Sequence, residues 1–172
     1  MAHSVELLLD PATDAVVRAE WTALADAGLP SLALHTSPTN RPHVTLTAAA
    51  HIDAGADADL TDLATRLPMP CLLGAPMVFG RGTVTLVRLA VPSAELLEFQ
   101  RSVSETVAAQ LTSGSYLHTQ PGRWTPHVTL CRRLPAEQLP TALGVIAARS
   151  IEGEFAALRR WDGDARVDHL LS

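Results

Sequence analysis

Two histidines and two threonines in this chain recur in one identical frame. Pro42-His43-Val44-Thr45-Leu46 reappears unchanged as Pro126-His127-Val128-Thr129-Leu130, with the histidines 84 residues apart in a chain of 172. Side chains on a strand point alternately to opposite faces. In each copy the histidine and threonine therefore share one face, while the valine and leucine share the other and suit a core. At the usual rise per residue, imidazole and hydroxyl stand about 7 Å apart along the strand. If both faces line one cleft, it holds two imidazoles and two hydroxyls. Phosphodiester cleavage needs a proton taken from the attacking oxygen and another given to the leaving oxygen. Imidazole titrates near neutrality, so one ring can serve as base while the other serves as acid. Threonine hydroxyls can donate to the non-bridging phosphate oxygens. This chemistry calls for no metal and no cofactor.

A single His-x-Thr on a strand ordinarily packs or faces solvent. Strand propensity accounts for Val, Thr and Leu in the frame. It does not account for histidine twice at matching positions.

The surroundings of the motif repeat as well. Val5, Leu7 and Leu9 alternate as a strand. Asp10 then caps a helix with Pro11 in its first turn, an apolar stripe of Val17, Trp21 and Leu24, and Gly28 at its end. Loop 31–41 leads to the first motif strand. A short helix follows, with Leu60, Leu63 and Leu67 on one face and Pro68 as the stop, and then a strand over 71–79. After a tight Gly80-Arg81-Gly82 turn the order replays. A strand covers 83–91, and a helix from Ser93 carries a stripe of Leu96, Phe99, Val103, Val107 and Leu111 and ends at Gly114. Loop 115–125 leads to the second motif strand, a helix covers 141–148, and a last hairpin, 151–161 with 165–171, turns at Asp162-Gly163-Asp164.

The expected fold is therefore α+β: two pseudo-symmetric lobes, each an antiparallel-rich sheet backed by helices, around a central cleft. The whole chain, 1–172, is expected to form a single bilobal domain, with an internal repeat of approximately 3–80 and 83–171. The lobes are free to exchange elements, and a half of this size would be marginal alone.

A net charge of −5 argues against coating long duplex nucleic acid, though not against a local basic cleft. Every basic residue other than histidine is arginine, which fits phosphate bidentately but also fits a broad compositional bias. Cys71 and Cys131 match no disulfide framework and no zinc motif. They read as buried thiols, for which a reducing cytosol is the natural compartment. The longest charge-free stretch, 67–80, is too short for a membrane span, and the N-terminus does not read as a signal peptide. The expected state is a cytoplasmic monomer.

The doubled His-x-Thr-Leu, in the contexts NRPHVTL and TPHVTLCR, resembles the 2H phosphoesterase superfamily, most closely its RNA 2′,3′-cyclic phosphodiesterase or 2′-5′ RNA ligase-like branch. The resemblance implies two lobes around a V-shaped cleft. It also implies metal-independent hydrolysis of a 2′,3′-cyclic phosphate to a 2′-phosphate, with 2′-5′ ligation as the reverse. The partner would be a nucleotide or RNA terminus bearing the cyclic phosphate. By the same resemblance His43 is the proton donor, His127 the proton acceptor, and Thr45 and Thr129 bind phosphate. The chain departs from the branch at Thr47-Ala48-Ala49-Ala50, where an aromatic or glycine often stands.

The family pattern His-x-Thr-Leu-x-Arg points to Arg132 as a phosphate clamp, whereas strand parity points to Arg133. Arg132 is favoured, because a bulge or strand end overrides parity. Tyr116 and Trp124 could stack on a base, and could equally pack in a core or lid. Arg41 and Arg123 read as solvated, Arg81 as a turn tip, and His3, His35, His51, His118 and His169 as structural or surface residues. Two other classes of function remain open. One is a non-catalytic RNA- or nucleotide-binding module, although the paired aromatics of an RNA-recognition sheet are missing. The other is a degenerate member acting as a protein scaffold.

Overall fold

In the computed structural model residues 1–171 are described. Among these residues seven strands and four α-helices follow in the order β1 (His3–Leu9), α1 (Pro11–Asp26), β2 (His43–Ala49), α2 (Asp57–Ala64), β3 (Met69–Arg81), β4 (Thr83–Ala90), α3 (Ala94–Val107), β5 (His127–Pro135), α4 (Leu139–Val145), β6 (Ile151–Asp162) and β7 (Val167–Leu170). The fold is α+β, as the element pattern implied. The strands form one antiparallel sheet in the order β1-β2-β5-β4-β3-β6-β7, and an additional pairing joins the edge strand β1 to β6.

Two sheets were expected, and their merger has a local cause. β3 is long enough to serve both, pairing with β6 through Met69 to Leu73 and with β4 from Leu73 to Arg81. β6, from the end of the second half, lies against β1 at the start of the first.

The helices begin where their caps say they should. Asp10 accepts from Ala12 N at 2.9 Å and Thr13 N at 3.0 Å, and its other oxygen accepts from Glu154 N at 2.7 Å, stapling α1 to β6. Val17, Trp21 and Leu24 are buried, and Gly28 ends the segment at φ +72°. In α3 the Ser93 hydroxyl accepts from Leu96 N at 3.0 Å. Leu96, Phe99, Val103 and Val107 form its buried stripe. The α-helix stops at Val107, short of the expected end. One 3-10 turn follows, and Leu111 is drawn into an extended bridge with Ile52.

The internal repeat extends to register. Val5 pairs with Thr47 and Glu6 with Thr45, skipping Leu46; Leu86 pairs with Cys131 and Val87 with Thr129, skipping Leu130. Each motif strand thus carries a bulge at the same place beside its neighbour. The carbonyl of Leu46 is met by the buried Gln100 amide at 3.1 Å.

One ion pair ties several elements together. Arg88 on β4 is 1% exposed and donates to Glu20 of α1 through Nε (2.7 Å) and Nη2 (2.5 Å). Its Nη1 donates to Gly74 O at 2.9 Å and its Nη2 also to Ala147 O, while Glu20 accepts from Ala147 N at 3.1 Å. Each guanidinium nitrogen therefore has a partner in a dry interior. Removing one member strands the other charge. Glu20→Ala is expected to cost about 3–5 kcal/mol, and a paired Glu20→Leu/Arg88→Met change much less. Urea denaturation of the two variants checks the difference.

Candidate active site

Val44 and Val128 face each other as the paired position between β2 and β5. Both valines are fully buried, so alternation turns His43, Thr45, His127 and Thr129 to the other face. The antiparallel register sets His43 beside Thr129 and Thr45 beside His127, with the imidazoles on the diagonal. In a regular ladder diagonal neighbours stand about 7–8 Å apart, a gap that a phosphate can bridge. His43, Thr45 and His127 line one cleft of about 810 Å³. Thr129 is half-buried on the same strand face, outside that lining.

The rings are aimed by their own backbones. His43 Nδ1 lies 2.7 Å from Arg41 O, and His127 Nδ1 lies 2.7 Å from Thr125 O. A carbonyl only accepts, so both Nδ1 atoms carry hydrogen. Both Nε2 atoms are left for chemistry: a lone pair on a neutral ring, an N–H on a protonated one.

Two tryptophans cross-brace the motifs. Trp124 Nε1 donates to Thr45 O at 2.8 Å, and Trp21 Nε1 donates to Thr129 O at 3.0 Å. Trp124 lines the cleft but is half-buried against the core, so its ring is wall as well as surface. Tyr116 is more open, at 39% exposed, and stacks on His118 with centroids 6.1 Å apart and planes 22° from parallel. Its loop is knitted to β2, Tyr116 N donating to Ala48 O at 2.7 Å. His3, His35 and His118, which read as structural or surface residues in the sequence, belong to the cleft wall.

The arginine question has a backbone answer. Cys131 pairs with Leu86 and Leu134 with Val84, so β5 bulges across Arg132 and Arg133, and Arg133 takes a left-handed φ of 57°. Parity fails there, and Arg132 lies in the cleft. Arg41 and Arg123 are exposed and outside the lining.

Around this framework the two histidines differ. His127 meets the Phe79 ring edge-on, with centroids 4.9 Å apart. Burial pushes its imidazole below the ordinary range, and the His43 and Arg132 charges push the same way against the opposing bond to Thr125 O. His43 instead has Glu6 Oε1 at 3.7 Å from Nε2. Glu6 is 5% exposed and is bonded by Ser4 Oγ at 2.6 Å and Arg159 Nε at 2.8 Å. Burial alone would raise its carboxyl, but the charges of His43 and Arg159 and these bonds hold it below the usual range. Glu6 and Arg159 carry no motif, and only the pairing of β1 with β2 and β6 brings them here.

A family model described as the 2′-5′ RNA ligase superfamily matches residues 13–167. No curated protein sequence matches the chain. Among solved structures, TT0787 of Thermus thermophilus is similar at 17% identity and TM-score 0.61, over 100% of this chain and 96% of that one. LigT of E. coli complexed with NADP⁺ is similar at 16% identity and TM-score 0.55, over 98% and 91%. Usb1 of Kluyveromyces marxianus with uridine monophosphate is similar at 13% identity and TM-score 0.56, over 99% and 97%. At these identities the structures show a shared fold.

Phe79 is part of what keeps water from His127, and at 39% exposed it can be trimmed without opening the core. Phe79→Ala is expected to move the His127 titration upward, toward the ordinary imidazole value, because desolvation is the main cause of its depression. Proton NMR titration of the ring Cε1–H checks the sign.

Proposed function

This chain belongs to the 2′-5′ RNA ligase superfamily, and from that premise we propose a metal-independent phosphodiesterase that opens a 2′,3′-cyclic phosphate to a 2′-phosphate. The carrying observation is the convergence of two imidazoles on one cleft, each with Nδ1 bonded to its own backbone and Nε2 free. The substrate is a nucleotide or an RNA terminus. Relatives of the same fold bind uridine monophosphate and NADP⁺, which supports a nucleotide-class ligand.

In this reading a water attacks phosphorus while His127 Nε2 takes its proton. The ring suits that role because burial and neighbouring positive charge favour its neutral form. His43, protonated, gives its Nε2 proton to the departing 3′ oxygen. One P–O bond forms, one breaks, and the proton gained by His127 balances the one lost by His43. Thr45, Thr129 and Arg132 hold the non-bridging oxygens, where charge builds during attack. Thr129 takes part from the same strand face, outside the cleft lining. Tyr116, stacked on His118, offers a platform for a base, with the Trp124 ring as the adjoining wall. Running backwards, acid and base exchange roles and a 2′-5′ linkage forms. The compartment we propose is the cytosol, where the thiols of Cys71 and Cys131, both buried, stay reduced.

Turnover of 2′,3′-cyclic nucleotides in EDTA tests this directly. His43→Ala and His127→Ala are each expected to lose about a hundredfold or more in rate. The wild-type kcat/KM should be bell-shaped, with an acid limb that follows His127 and so lies below the ordinary imidazole range. Undiminished rates in both variants refute the mechanism, and nucleotide binding without turnover in the wild type favours a binding module.

A further inference from the structure

We propose that Glu6 is a positioning residue that makes His43, rather than His127, the acid of the pair. The inference rests on the phosphodiesterase reading above and adds what the repeated motif cannot supply, a direction.

The two halves can be compared position by position. Glu6 pairs with Thr45 on one side, and Val87 pairs with Thr129 at the matching place on the other. The bulges beside them coincide, so the equivalence holds through the register. One motif therefore has a buried carboxylate at its flank where the other has a buried valine. An inherited repeat would give both histidines the same surroundings, and this substitution separates them.

The charges around His43 can be counted from each element that faces it. β1 brings Glu6 and β6 brings Arg159, whose Nη2 is 2.7 Å from Glu6 Oε2. β7 brings Asp168, 3.1 Å from Arg159 Nη1. β5 brings His127, and Arg132 on the same strand lies in the cleft. Arg166 lines the cleft as well, so the charges there are mixed, and Glu6 supplies a carboxylate within ion-pair reach of the His43 ring. The carboxylate oxygens are also divided. Oε2 is occupied by arginine, while Oε1, bonded to Ser4 Oγ at 2.6 Å, faces the imidazole. At 3.7 Å that oxygen is within ion-pair reach but beyond a hydrogen bond. An Nε2 proton there faces the carboxylate without being captured by it, and it stays available to a leaving oxygen. Arg159 is itself pinned by Thr39 O at 2.9 Å, so the carboxylate cannot swing to meet the ring.

The test is the pH profile of kcat/KM for 2′,3′-cyclic nucleotide hydrolysis, beside NMR titration of both histidines in the free protein. Glu6→Gln is expected to move the alkaline limb down by about one pH unit, so that kcat/KM at pH 8 falls about tenfold. The acid limb and the His127 signal should stay in place. Glu6→Asp keeps the charge and should restore most of the alkaline limb. Asp168→Asn removes charge from the cluster without touching Glu6, and should move the same limb in the same direction by less; it carries the test if Glu6→Gln does not fold. A Glu6→Gln enzyme whose rate is lowered evenly with both limbs in place, or a His43 titration unmoved in either neutralised variant, overturns the proposal. If His43→Ala and His127→Ala keep full turnover, the phosphodiesterase reading fails instead, and the His43 titration still reports whether Glu6 polarises the ring.

Discussion

The opposition of Val44 and Val128 is the constraint on which the cleft depends. Register in a half-buried ladder is set by which side chains the core accepts. Both valines are fully buried. A slip of one residue on either strand would send an imidazole inward, where Nε2 would have no partner, and would turn an apolar side chain out to water. One buried pair thereby selects the face on which all four functional side chains emerge. It also places them crosswise, each histidine beside the threonine of the other copy. The proposed chemistry depends on that crossing, since neither copy alone supplies two imidazoles.

A contact of one residue pair is a slight hinge for such a job, and the surrounding structure compensates. Each motif threonine carbonyl accepts an indole N–H from the opposite half of the chain, Trp124 to Thr45 and Trp21 to Thr129. These bonds keep buried polar groups satisfied and brace the strands at the point where they begin to part. Farther out, the β1–β6 pairing and the two-sided β3 tie both halves into one sheet.

What the sequence revealed follows from the range over which each signal acts. The doubled motif, the Asp10 and Ser93 caps and the apolar stripes of α1 and α3 are local patterns, and each of these elements begins where it was read. The junction of β1 with β6 is a pairing between the chain's two ends, about which periodicity within a segment says nothing. The same limit hid Glu6 and Arg159. In sequence Glu6 is one polar residue in an alternating strand, and its importance arises from the neighbours that β2 and β6 bring to it. The motif pointed to Arg132 and parity to Arg133. Parity fails because β5 carries two irregularities, and a rule of alternation holds only while the ladder is unbroken. The early stop of α3 has a similar origin, a bridge from Leu111 to Ile52 that outweighs the helical stripe.

A duplicated scaffold brings two equivalent groups together easily and distinguishes them poorly. Proton transfer in one direction requires that they differ at the start of the reaction. Here the difference does not come from the motifs, which are identical through five residues, nor from the backbone, which holds both Nδ1 atoms in the same way. It comes from the strands on either flank. Phe79 and the valine at position 87 make one side apolar, and burial there favours a neutral ring. Glu6, fixed by Ser4 and Arg159, makes the other side anionic. Since the two rings line one cleft, these environments also act on each other: a protonated His43 lowers the affinity of His127 for its own proton. The asymmetry is thus reinforced across the cleft, and it originates in the flanking strands rather than in the motifs.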